Sequence, residues 1–202
     1  MARVERQQLA DRLSALPDDA WAQPTLCAGW AVRDIVGHMI AIGTMSAGRF
    51  FSGMAKNGFS FDKFQSQGIK SNTEGKAPAQ ILAAFTATVD SHHKPPGPAT
   101  TVLGEVLVHG EDIFRPQDRR YLVHPADHVV TVAEFYKRNG FPLKVKQRIA
   151  GVTLRMTDAD WSYGSGPEAS GPGISILMAM VGRKIALGEL QGEGVSILNG
   201  RS

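Results

Sequence analysis

The chain is short of cysteine, of aromatics and of long apolar runs. Cys27 is its one cysteine among 202 residues. No disulfide can form within it, and nothing argues for an oxidising compartment. Its longest uncharged apolar run, residues 173–182, is about half of the ~18–20 residues that a membrane span needs. The N-terminus is charged and then amphipathic, without the continuous apolar segment of a secretory signal. Lys and Arg number 22 against 19 Asp and Glu, a formal charge of +3, and the basic residues form no concentrated run. Nucleic acid is therefore not an expected partner. What is present, 43% hydrophobic and 20% charged residues, is ordinary for a globular chain. A soluble, cytoplasmic protein is expected, with one full core or one core plus a small appendage.

The 22 glycines are unevenly placed. Residues 1–139 carry helical periodicity, whereas residues 140–202 alternate short apolar runs with Gly and Pro. The expected boundary falls near Asn139-Gly140-Phe141-Pro142. In the first part, helices are expected at about 3–15, 31–54, from Pro78, 99–114 and 125–138, the pattern of a helical bundle. Residues 56–76 are polar and read mainly as loop. In the second part, Val152, Leu154 and Met156 alternate as in a strand, and Trp161-Ser162-Tyr163 suits a hairpin partner. A helix is expected at about 174–187, ended by Gly188, and a short last strand at 195–198.

The most informative local pattern is Gly104-Glu105-Val106-Leu107-Val108-His109-Gly110-Glu111-Asp112. Glu105 and His109 are four apart, so they lie one turn above each other on the apolar side of the expected helix. An inward carboxylate and imidazole must be paired, bonded or bound to something. His38, between Ile35 and Ile42 of another helix, is also inward. Two histidines and a glutamate from two helices suit a divalent metal such as zinc, nickel or iron, with one position left for water or substrate. Asp34 and Asp112 are candidates to orient the histidines from behind. The plain alternative is a surface Glu–His pair. His124 and His128 read as helix lead-in residues, His92 and His93 as a helix C-terminus, and Cys27 as a small buried hydrophobe. The Gly164-Ser165-Gly166 and Gly171-Pro172-Gly173 stretches are turn material, without the lysine and spacing of a phosphate loop.

Three stretches together resemble a family. They are Leu26 to His38, Glu105 to Ile113, and Gly171 to Arg183 followed by Leu190 to Val195. In this order they are similar to the mycothiol-dependent maleylpyruvate isomerase family, one of the DinB-like metal-binding bundles. The resemblance implies a mainly α fold: a DinB-like four-helix bundle of up-down-down-up type over 1–139, with a small C-terminal α/β domain over 140–202. It implies a divalent metal, zinc first, on His38, Glu105 and His109, and mycothiol as cosubstrate. Such a centre would hold the thiol as thiolate. The thiolate would add to a small electrophile, for isomerisation or for S-transfer. A non-catalytic metal or small-ligand binding protein is the alternative reading. Arg183 matches the position of an arginine tied to activity in the family, and it suits equally a helix C-terminal cation. Arg115 is a candidate contact for a diacid or cosubstrate, or else a surface charge. No oligomeric state is implied.

Overall fold

A computed structural model describes residues 1–117, 123–138 and 143–201. The protein is mainly helical, with one small three-stranded sheet. Its contacts divide it into two compact units, Met1–Leu122 and Val123–Ser202. The boundary expected at 139–142 lies outside the described residues. The helix expected at 125–138 falls in the second unit.

The first unit holds six helices: α1 (Ala2–Ser14), α2 (Val32–Gly43), α3 (Ala47–Lys56), α4 (Phe61–Thr73), α5 (Pro78–Thr86) and α6 (Ala99–Phe114). Helix α1 packs on α5 and α6, and α2 packs on α4, α5 and α6. Leu9, Leu13, Ile35, Val36, Ile81, Phe85, Val106 and Ile113 fill the space between them. Burying such a side chain contributes about 1.5–3 kcal/mol, so this core supplies the frame on which α2 and α6 are held.

Three expectations about this unit are corrected. The helix expected over 31–54 is two helices. Helix α2 stops at Gly43, and Ser46 caps α3 by accepting from the Arg49 N–H. The stretch expected as loop contains α4. Its polar sequence hid it, because α4 meets α2 largely through small residues. A Cβ on Gly37 would lie 2.5 Å from Thr73 Cγ2, and one on Gly68 3.3 Å from the Ala41 methyl. His92 and His93 are exposed and lie beyond α5, which ends at Thr86, so they are not at its C-terminus.

The second unit holds α7 (Ala126–Tyr136), α8 (Val145–Ile149), β1 (Thr153–Met156), β2 (Ser162–Tyr163), β3 (Glu168–Gly171), α9 (Gly173–Met180) and α10 (Gly194–Asn199). The strand order is β2-β1-β3. Strand β1 pairs antiparallel with β2, Leu154 facing Tyr163, and parallel with β3, Leu154 facing Ala169. Helix α9 packs on β1, β3 and α7. The hairpin expected around Trp161 is present. Strand β3 was not expected, because Glu-Ala-Ser-Gly carries no strand pattern. The strand expected at 195–198 is helix α10 instead.

Helix α9 ends at Met180, eight residues before Gly188. Gly182, at φ 86°, donates to the Ala179 carbonyl, and Arg183 donates to the Met178 carbonyl. That pair of bonds is a glycine-based helix stop, and it satisfies two carbonyls that the helix leaves open. A short 3₁₀ turn then runs from Lys184 to Glu189. Among the described residues, no helix is long and apolar enough to cross a membrane.

Candidate metal centre

Contact between α2 and α6 brings His38 to Glu105 and His109. Nε2 of His38 lies 3.2 Å from Oε2 of Glu105, and Nε2 of His109 lies 3.1 Å from the same oxygen. The ligand atoms of all three are within 4.8 Å of one another. The two imidazoles meet edge to face with centroids 5.2 Å apart. Both are largely buried, while Glu105 keeps partial exposure. Glu105 is thus the member of the cluster that solvent reaches most.

Each ring is also held from behind. Nδ1 of His109 lies 3.0 Å from Oδ2 of Asp112, which is fully buried. With Nδ1–H donated there, Nε2 is the nitrogen left to face Glu105. Behind His38 sits the side-chain amide of Gln65, 3.4 Å from Nδ1. Gln65 comes from α4, so reading that stretch as loop hid it. Asp34 was the residue expected in this place. It instead accepts from the Ala31 N–H at 2.9 Å and caps the start of α2. Trp30 lies against both imidazoles, its ring centroid 5.2 Å from that of His38 and 6.2 Å from that of His109.

Cys27, expected as a small buried hydrophobe, packs partly buried against the helical core, but it is not only a hydrophobe. It is half-buried, and its thiol donates to Oδ2 of Asp112 at 3.1 Å, with Sγ 3.7 Å from Nδ1 of His109. A lone cysteine in an apolar lead-in carries no pattern that points to a carboxylate 85 residues away.

Charge in the cluster is tightly coupled. Burial disfavours the charge of Glu105, but hydrogen bonds and the charges of His109 and His38 outweigh it and hold the carboxyl far below its ordinary range. Burial also disfavours the charged His109 ring. Hydrogen bonds to Asp112, Cys27 and Glu105, with the Glu105 charge, outweigh it and push that pKa well above the ordinary value. The site thus favours a positive charge between its donors. Two imidazole nitrogens and one carboxylate oxygen, oriented from behind, fit a divalent metal of the zinc class.

The two arginines lie elsewhere. Arg115, just after α6, forms an ion pair with Glu111 one turn back, and both side chains are more than nine-tenths buried. It is not a surface charge. Arg183 belongs to the second unit, at the start of the 3₁₀ turn. Its charge adds to burial in lowering the pKa of Arg148. His124 lies in the non-helical stretch before α7, and His128 is buried on that helix.

Fold and site together define a two-unit, mainly helical protein whose helical unit carries a His–Glu–His cluster of metal-ligating type. Residues 2–97 match the mycothiol maleylpyruvate isomerase N-terminal domain. The matched stretch includes His38 and stops short of Glu105 and His109. Two crystal structures of the mycothiol-dependent maleylpyruvate isomerase share the fold. One, of a histidine-to-alanine variant, has a TM-score of 0.61 at 13% identity, covering 95% of this chain and 90% of the other. The second has a TM-score of 0.58 at 15% identity, covering 90% and 86%. No curated protein is matched by the sequence.

Proposed function

We propose that this protein is a metal-dependent enzyme that uses a low-molecular-weight thiol, mycothiol, to isomerise or S-modify a small electrophilic substrate. The convergence of His38, Glu105 and His109 on one oxygen-centred point carries this reading. The family match of residues 2–97 supports the choice of thiol. The ring of packed helices α1, α5, α2 and α6 is read as the DinB-like four-helix bundle, and the second unit as its small α/β partner.

His38, Glu105 and His109 would hold the metal, with zinc first and nickel or iron as alternatives. A divalent cation in this place supplies a Lewis acid that favours ionisation of a bound thiol. The chain's own residues do the rest. Asp112 keeps Nε2 of His109 turned to the cluster. Glu105 stays ionised at neutral pH, and Trp30 shields both imidazoles on one side. The family resemblance makes Arg183 a contact for a substrate or cosubstrate carboxylate. Arg115 is a second candidate on the ground that a diacid needs cations, although Glu111 already pairs with that guanidinium.

Metal analysis of protein purified without chelator is the first test, with about one zinc-class ion per chain expected and His38→Ala losing it. Protein incubated with mycothiol and a panel of electrophiles should then give conjugate or isomer by mass spectrometry, and chelator should abolish it. Stoichiometric metal without turnover on any electrophile identifies a binding protein instead. An unchanged metal content in His38→Ala overturns the site.

A further inference from the structure

We infer that Cys27 is a positioning residue for the cluster, acting on His109 through Asp112; the inference rests on the metal reading above for its purpose but not for its geometry. Oδ2 of Asp112 is shared. It accepts from Nδ1–H of His109 at 3.0 Å and from the Cys27 thiol at 3.1 Å. Asp112 is fully buried, so no solvent replaces a donor that is removed. Two donors converging on one oxygen fix the carboxylate's rotation, and a fixed carboxylate fixes the plane of the His109 ring.

The segment that carries Cys27 is built to hold it still. Gln23 and Val32, at its two ends, are joined by the Val32 N–H donating to the Gln23 carbonyl. Pro24 and Ala31 form an isolated antiparallel bridge. Inside, the Thr25 N–H and hydroxyl both donate to the Trp30 carbonyl, and Trp30 N–H donates to the Cys27 carbonyl. Cys27 N–H in turn donates to the Thr25 hydroxyl at 3.2 Å. The Leu26 N–H donates to the Asp112 main-chain carbonyl at 3.1 Å, which ties the loop to α6 at the residue whose side chain Cys27 engages. The same loop carries Trp30 against both histidines. It is a closed clamp, and Cys27 supplies a side-chain hydrogen bond from it to the carboxylate behind the candidate ligand. Its sulfur thus has a task that needs neither nucleophilicity nor oxidation.

Three variants separate hydrogen bonding from packing. Cys27→Ser keeps a donor, Cys27→Val fills the space without one, and Cys27→Ala removes both. Zinc affinity, measured by competition with a chelator, is expected to fall about tenfold in the Ala and Val variants. The Ser variant should stay within about threefold of the parent. In the metal-free protein, the His109 Nδ1–H proton signal should be slow to exchange in the parent and in Cys27→Ser, and lost to exchange in the other two. Parental zinc affinity and proton protection in Cys27→Val would reduce Cys27 to a space filler and overturn the inference. A parent protein that binds no zinc, yet shows the expected proton pattern, overturns the metal reading and leaves the positioning role standing.

Discussion

Glu105 accepts from two imidazoles at once, and this ties the protein's stability to pH in a way that depends on the metal. In the metal-free protein, Glu105 is shifted down from 4.5 and His109 up from 6.5. A lowered carboxyl contributes stability above its unfolded value, lost as pH falls through the folded value. A raised imidazole contributes below its unfolded value, lost as pH rises through the folded one. Both contributions are complete between 4.5 and 6.5. Urea unfolding with chelator present should therefore show stability declining as pH rises above 6.5, and His109→Gln should remove that slope. Zinc binding should run the opposite way, strengthening over the same range as the His109 proton ceases to compete.

Helices α2 and α4 show what spacing and composition make legible and what they do not. The first was readable in outline because Ile35, Met39 and Ile42 recur at helical intervals, and His38 falls among them. The same argument placed Glu105 and His109 on one face of α6, and the structure brings these three together. Helix α4 is held by close backbone approach rather than by an apolar stripe, so no periodicity announced it or Gln65. Strand β3, with Ala and Gly as its buried residues, was hidden for a similar reason. Cys27 and Asp34 failed differently: each acts through local contacts that leave no repeat in the sequence. The close approach of α2 and α4 is itself testable. A Cβ on Gly37 would lie 3.3 Å from the Ile69 carbonyl oxygen as well as against Thr73. Gly37→Val should destabilise the protein by about 1–3 kcal/mol in urea melts. It should also weaken zinc binding, because Gln65 is carried on the displaced helix.

All three candidate metal ligands, and every side chain described behind them, belong to Met1–Leu122, whereas Arg183 belongs to Val123–Ser202. Arg183→Ala should accordingly keep its full metal content while lowering kcat/KM on a carboxylate-bearing substrate by about tenfold or more, as expected when a charge-assisted contact is lost. Loss of metal in that variant would sink the assignment. Within the first unit, the residues that meet at the cluster lie far apart along the chain: His38 and Glu105 are separated by 67 positions, and Cys27 and Asp112 by 85. A ribosome making this protein therefore releases the clamp and one histidine long before the other two donors exist. Until α6 has been made and docked, His38 stands without the other two donors of the cluster. Metal capture by the proposed centre would thus be a late event, following the assembly of the helices rather than nucleating it.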